Sequence, residues 1–200
     1  MLKEADKVYV VFEGSNNTGK STQLHRVKET LKQLFEKYGK ENPTINVFHE
    51  GDSCKGSYDN WYEEVLDYAR DRASTQHLIK GTEYSSITIS DRSFYSSLVY
   101  QGKGDKEKIE YIRTVNRFAE EPDLVIFFKN MEDPDREYLY GNLIPYEQIN
   151  FMETDEYSIE ESQNIASTII FLNWLMMYSE MDYESAYETT ANLQKEILNK

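Results

Sequence analysis

Two hundred residues suffice for one domain of ordinary size with a buried core. Twenty-two Lys and Arg against 36 Asp and Glu give a formal net charge of −14, which argues against a nucleic-acid coat protein or one docking on an anionic membrane. Sixteen Tyr, nine Phe and two Trp argue against a disordered acidic tail, and one cysteine, Cys54, rules out an intrachain disulfide and fits a reducing, cytoplasmic setting.

The opening MLKEADKVYVVF lacks the charged-then-apolar layout of a signal peptide and runs straight into a first predicted strand, Val8–Phe12. From Lys20 to Tyr38, Leu24, Val27, Leu31, Leu34 and Tyr38 recur at three- and four-residue spacing, which predicts an amphipathic helix. A second strand is expected at Ile45–His49. A helix is expected over Asn60–Lys80, with Trp61, Val65, Tyr68 and Arg72 on one face. Ile87–Ser90 reads as the third strand, residues 105–119 as a helix and Leu124–Phe128 as the fourth strand. Asn130–Gln148 is the least regular stretch, read as a loop or a short helical cap. A weaker fifth strand follows at Ile149–Glu153, then a helix over 159–180 and further helix to the C-terminus. The run IIFLNWLMMY is apolar all round, which predicts burial, against the core or against a second subunit. It is too short to span a bilayer.

Nearly continuous apolar strands alternating with helices predict an α/β fold: a five-stranded parallel sheet with helices on both faces. No linker, repeat or low-complexity tract divides the chain, so residues 1–200 are expected to form a single domain.

Gly14-Ser15-Asn16-Asn17-Thr18-Gly19-Lys20-Ser21 fits G-x-x-x-x-G-K-[ST] at every defined position, after a predicted strand and before a predicted helix. This is the setting of a P-loop NTPase fold. Glycines let successive backbone N–H groups curl toward phosphate oxygens, and the helix adds the positive end of its dipole. Residues 14–21 with Thr22 are therefore the candidate ATP site. Lys20 would reach the outer phosphates, and the Ser21 hydroxyl would hold Mg2+. These local features let an acidic protein bind a polyanion.

The sequence resembles the thymidylate kinases, among the nucleoside monophosphate kinases. VVFEGSNNTGKSTQ is similar to that family's first strand and phosphate loop, and VFHEGD to its Phe-Arg-Glu-Pro segment. YARDRASTQHL is similar to its Ala-Asp-Arg-Ala helix, ITISDRSFYSSLVYQG to its Asp-Arg-Tyr segment, PDLVIFF to the next strand, and METDEYSIEESQNIASTI to the last strand and helix. The resemblance implies phosphoryl transfer from ATP to dTMP, giving dTDP, with Mg2+. It implies catalytic roles for Lys20, Arg72, Asp91 and Arg92, and metal-holding roles for Ser21 and Asp91. It places Asn16, Glu50, Tyr68, Arg72, Arg92 and Gln101 around the acceptor, with Tyr68 stacked on the base and Gln101 at its edge. It also allows a homodimer.

The chain departs from the family at several points. The loop aspartate is Asn16, the Arg of Phe-Arg-Glu-Pro is His49, and the aromatic after Asp-Arg is Ser93. The arginine-rich lid is reduced to Arg136 between Lys129 and Gln148, with Arg70 and Lys129 as the other candidates to replace its transition-state cation. Two other readings stay open. One is a deoxynucleoside kinase, in which Glu50 would act as base. The other is a nucleotide-binding module without useful turnover.

Overall fold

The computed structural model describes residues 7–16, 18–39, 43–80, 85–129, 134–145, 148–153, 159–179 and 181–198. In chain order these residues form β1 (Lys7–Gly14), α1 (Lys20–Tyr38), β2 (Thr44–His49), α2 (Trp61–Lys80), β3 (Ser86–Asp91), α3 (Phe94–Tyr100) and α4 (Lys106–Val115). Then come β4 (Leu124–Lys129), α5 (Pro134–Leu143), β5 (Ile149–Glu153), α6 (Ile159–Tyr178) and α7 (Tyr183–Leu198).

The strands form one parallel sheet in the order β2-β3-β1-β4-β5. β1 lies in the middle and alternates between two cores. Val8, Val10 and Phe12 face one layer, with α1, α6 and α7; Tyr9 and Val11 face the other, with α2 to α5. A strand covered on both faces needs apolar residues at odd and even positions alike, which is why it reads as an uninterrupted apolar run. In the first layer Phe35 of α1 meets Phe171 and Trp174 of α6 edge-on, with ring centroids 4.9 and 4.8 Å apart. Such pairs add about 0.5–1.5 kcal/mol each beyond the area they bury.

Two stretches that the sequence left open are filled, and two local expectations are corrected. α3 interrupts what sequence pattern left unassigned: six of its seven residues are buried, so it has no polar face to announce it. The stretch after β4 contains a helix, α5, anchored by the fully buried Tyr140, whose ring lies 5.0 Å from Phe127. α4 stops at Val115 instead of continuing to 119, because the Asn116 side chain donates back to the Ile112 carbonyl at 2.8 Å and ends the helix. α6 is not buried all round: Ile170, Phe171, Trp174 and Leu175 are buried, while Met176 and Met177 are exposed. Among the described residues no helix is long and apolar enough to cross a membrane.

Candidate active site

β1, β2 and β3 end at one edge of the sheet, where ligands of open α/β folds gather. β1 delivers the phosphate loop there. At Gly14 the backbone has φ +134°, and a Cβ would lie 2.3 Å from the Phe128 carbonyl oxygen. Only glycine lets β1 turn so close beneath β4. Gly19, the N-cap of α1, is in the left-handed region at φ +83°, and among the described residues no side chain caps the helix, which leaves its first N–H groups to a ligand. Lys20 is 4 % exposed; its Nζ donates to the Ser15 carbonyl and to Thr18 Oγ1, the latter at 3.0 Å. Burial, with Arg92 close by, lowers its pKa to about 8. Asn17, counted above in the ATP site, lies outside the described residues.

Asp91 closes β3, buried, with Oδ2 accepting from Ser21 Oγ and contacting His49 Nδ1 at 3.0 Å. Burial works to raise its pKa, but the His49 and Ser21 hydrogen bonds outweigh it and hold the carboxyl below its ordinary value. His49 is raised in turn, chiefly by its bond to Asp91. Asp91 Oδ1 is buried with no hydrogen-bond partner among the described residues. A hydroxyl, a carboxylate and one uncommitted carboxylate oxygen fit Mg2+, which takes few protein oxygens and completes its shell with water and substrate phosphates. Among the described residues no cluster of three His, Cys, Asp or Glu offers a metal an all-protein cage. Around these groups lies a cavity of about 500 Å³ walled by Asn16, Thr18 to Thr22, His49, Asp91 and Arg92. Gly14 and Ser15 do not line it; they shape it from below.

Arg92 has φ +79°, a left-handed backbone unusual outside glycine. Its N–H donates to the Phe12 carbonyl at 2.9 Å and its own carbonyl accepts from Ser90 Oγ at 2.8 Å. The side chain is held at both ends of its fork: Nη2 donates to Asn16 Oδ1, and Nη1 to Ser96 Oγ at 3.1 Å. Ser96 Oγ donates a hydrogen bond to Glu13 Oε2 at 2.7 Å, which leaves it to accept from the Tyr140 hydroxyl at 2.9 Å. Glu13 is wholly buried in β1. Its Oε1 accepts from the Ser93 amide at 2.9 Å and the Ser93 hydroxyl at 2.7 Å, and burial raises its pKa. Sequence reasoning passed over Glu13, Ser96 and Tyr140. The one visible signal was a carboxylate inside the apolar run V-V-F-E-G. Ser93, a departure from the resembled pattern, is explained by the same network: it caps α3 by accepting from the Tyr95 amide at 3.2 Å, and it donates to Glu13.

A second cavity, of about 240 Å³, adjoins the first and shares Asn16 and Arg92 with it. Glu50, Tyr68 and Gln101, the residues expected around the acceptor, line it together with Glu64, Ser96, Ser97 and Tyr100. Arg72, expected to touch the acceptor, does not line this cavity. Its guanidinium lies one layer deeper, 3 % exposed, donating to both Glu50 oxygens, to Asn116 Oδ1 and to Ser97 Oγ. The fourfold spacing from Tyr68 places both residues on one helix face but does not set how deep each side chain reaches.

The loop above Tyr68 is tied down by α2. Asp71 accepts from the Gly51 amide at 2.7 Å, and Asp67 accepts from the Lys55 amide at 3.0 Å. A Cβ at Gly51 would lie 2.9 Å from the Tyr68 ring, so glycine keeps the aromatic against the loop. Of the three candidates for a lid cation, Arg136 of α5 is brought to the site: its guanidinium lies 4.6 Å from the Tyr100 ring centroid, and that of Arg92 lies 4.9 Å from it. Arg70 turns outward to Asp67, 2.8 Å away, and Lys129 closes β4.

Fold and loop together define a doubly wound α/β protein with a phosphate loop at its strand ends. Comparison with known proteins narrows this. The thymidylate kinase family profile matches residues 12–154. The probable thymidylate kinase of Thermococcus gammatolerans is 37% identical over 140 residues, 60% of this chain; the match spans 64% of that relative, less than two thirds of its length. The probable thymidylate kinase of Methanococcus maripaludis (strain C7) is 30% identical over 186 residues, 82% of this chain and 90% of that one. Among solved structures, the thymidylate kinase of Ehrlichia chaffeensis shares the fold, with a TM-score of 0.61 at 19% identity, covering 82% of this chain and 98% of that one. The chain belongs to the thymidylate kinase family.

Proposed function

We propose that this protein transfers the γ-phosphoryl group of ATP to dTMP, giving ADP and dTDP, as a single domain over residues 1–200 acting in the cytoplasm. The observation that carries this reading is the pair of adjoining cavities: one holds the phosphate loop, the other the aromatic and amide expected around a base, and Arg92 with Asn16 stands in both walls. The loop amides and Lys20 would hold the donor phosphates. Ser21 and Asp91 would hold Mg2+, which supplies charge neutralisation between the donor phosphates.

An acceptor phosphate oxygen, itself an anion, attacks the γ-phosphorus in line; the bond to the β–γ bridging oxygen breaks and its electron pair leaves with ADP. No strong base is needed, so the work of the site is positioning and charge neutralisation. Arg92, in the shared wall, would neutralise the transferring group, and Arg136, 4.6 Å from the Tyr100 ring centroid, would be the second cation. Arg72 acts as a positioning residue through Glu50. The deoxynucleoside kinase alternative is disfavoured, because both oxygens of Glu50, its candidate base, already accept from Arg72.

The test is ADP formation from ATP and Mg2+ with dTMP, thymidine and the other deoxynucleoside monophosphates, with Lys20→Ala as control. Lysine-dependent turnover of dTMP is expected. Consumption of thymidine alone would make the chain a nucleoside kinase. Nucleotide binding without turnover would make it a binding module. Sedimentation of the purified chain reads directly whether it forms the homodimer that the resemblance allows.

A further inference from the structure

α5 carries Arg136, and Tyr140 stands four residues further on, so the two share one face of the helix. Tyr140 is wholly buried; its ring lies 5.0 Å from that of Phe127, and Leu139 and Leu143 pack on the same core. Apolar contacts hold a helix against a sheet but have no direction, so they set its rotation poorly. A hydrogen bond is directional. The structure gives the Tyr140 hydroxyl such a bond, 2.9 Å from Ser96 Oγ on α3.

Three groups meet at that oxygen. Ser96 Oγ donates to Glu13 Oε2 and accepts from Arg92 Nη1 at 3.1 Å. A carboxylate accepts and a guanidinium only donates, so the single hydroxyl proton is committed to Glu13 and two lone pairs are left for donors. Arg92 takes one and Tyr140 the other. Arg92 and Arg136 also converge on one ring, their guanidinium carbons 4.9 and 4.6 Å from the Tyr100 centroid. Like charges so placed repel, so the helix bearing Arg136 needs a hold of its own.

We propose that Tyr140 is a positioning residue: its hydroxyl, donated to the same Ser96 oxygen that accepts from Arg92, sets the rotation of α5 and so holds Arg136 at a fixed place relative to Arg92. This rests on the proposed kinase reaction, with Arg136 as its second cation. A turn of α5 that breaks the Tyr140 bond carries Arg136 with it, because both stand on one face. With the bond made, the two cations are in register before the transferring phosphoryl group develops its charge, and none of the reorganisation falls within the reaction. Misplacing a group by about 1 Å at such a centre is enough to lower the rate.

The experiment is steady-state turnover of ATP and dTMP by the full chain, unaltered and as Tyr140→Phe, Arg136→Ala and the double variant. Phe keeps the ring against Phe127 and loses only the hydroxyl, so folding is preserved. Tyr140→Phe should lower kcat about fivefold, the worth of one hydrogen bond, and leave the KM of ATP within about twofold, because the phosphate loop is untouched. In the Arg136→Ala background the same substitution should move kcat by less than about twofold, the signature of one residue acting through another. Ile170→Val, buried in the opposite core layer, is the control for lost stability: it should destabilise the chain by a similar amount and leave kcat unchanged. A kcat unmoved by Tyr140→Phe in a chain that turns over dTMP would overturn the Tyr140 role and leave the kinase reading standing. An equal fall in both backgrounds, or one matched by Ile170→Val, would overturn it too. A folded, unaltered chain with no turnover of dTMP would refute the kinase reading and this inference with it.

Discussion

Replacing Arg72 by Met should cost more stability than any substitution on the cleft surface, although Arg72 does not line the cleft. Its side chain and that of Glu50 are each 4% exposed. Arg72 Nε donates to Glu50 Oε2 at 3.1 Å and Nη2 to Ser97 Oγ at 3.1 Å, with further bonds to Glu50 Oε1 and Asn116 Oδ1. The substitution strips two donors from a buried carboxylate and one each from an amide and a hydroxyl. Breaking a buried pair from one side costs about 3–5 kcal/mol, because the other charge is left in the interior alone. For a chain of this size that is a fall of about 6–20 °C in Tm, taking 2–4 °C per kcal/mol. Urea unfolding at neutral pH, with calorimetry alongside, measures it. The double variant Glu50→Gln/Arg72→Met should recover much of the loss, since no unpaired charge remains, so the two sites should couple by several kcal/mol. A single-variant loss below about 1 kcal/mol, or additive behaviour of the pair, would refute the claim that this ion pair supports the acceptor wall.

Gly14→Ala must fit a Cβ 2.3 Å from the Phe128 oxygen at φ +134°, so it should lose about 3 kcal/mol or more and ATP binding with it; intact binding in a titration would contradict that geometry. Ser93→Ala removes a helix cap, worth about 1 kcal/mol, and a donor to a buried carboxylate, worth about 1–3, so chemical denaturation should show a loss of about 2–4 kcal/mol. Arg136→Ala should lower kcat at saturating substrates by about tenfold or more with little change in Tm; a kcat within twofold of the unaltered protein would remove Arg136 from the reaction. The pKa of Glu13 is raised by burial, so between its ordinary value of 4.5 and its folded value the native state binds the extra proton and stability falls as pH rises. Glu13→Gln should flatten that slope in denaturation series run from about pH 4.5 to neutrality; an unchanged slope would assign it to other groups.

Strong periodicity and loop chemistry were legible in the chain. α1 spans Lys20–Tyr38 as its Leu and Val spacing requires, and the phosphate loop stands where strand and helix meet. What escaped was short, wholly buried or decided by tertiary partners. α3 has no polar face, and α5 is short, with Tyr140 buried and Leu139 and Leu143 packed beside it on one face among otherwise polar residues. Arg72 and Glu13 carry the same formal chemistry wherever they stand. Their roles depend on what lies across the gap: Glu50 for the first, Ser93 and Ser96 for the second. Spacing along one helix reports direction and is silent on depth.

Asn16 and Arg92 belong to both cavities, and they are bonded to each other. Under the proposed function, a ligand in either cavity would therefore meet a wall that the other ligand also contacts. Whatever factor the donor nucleotide imposes on acceptor affinity, the acceptor must return to the donor, because binding free energy around a closed cycle sums to zero. With donor and acceptor bound as proposed, the guanidinium–amide contact in the shared wall would link the two nucleotides thermodynamically, and an affinity measured for one would be a property of the pair.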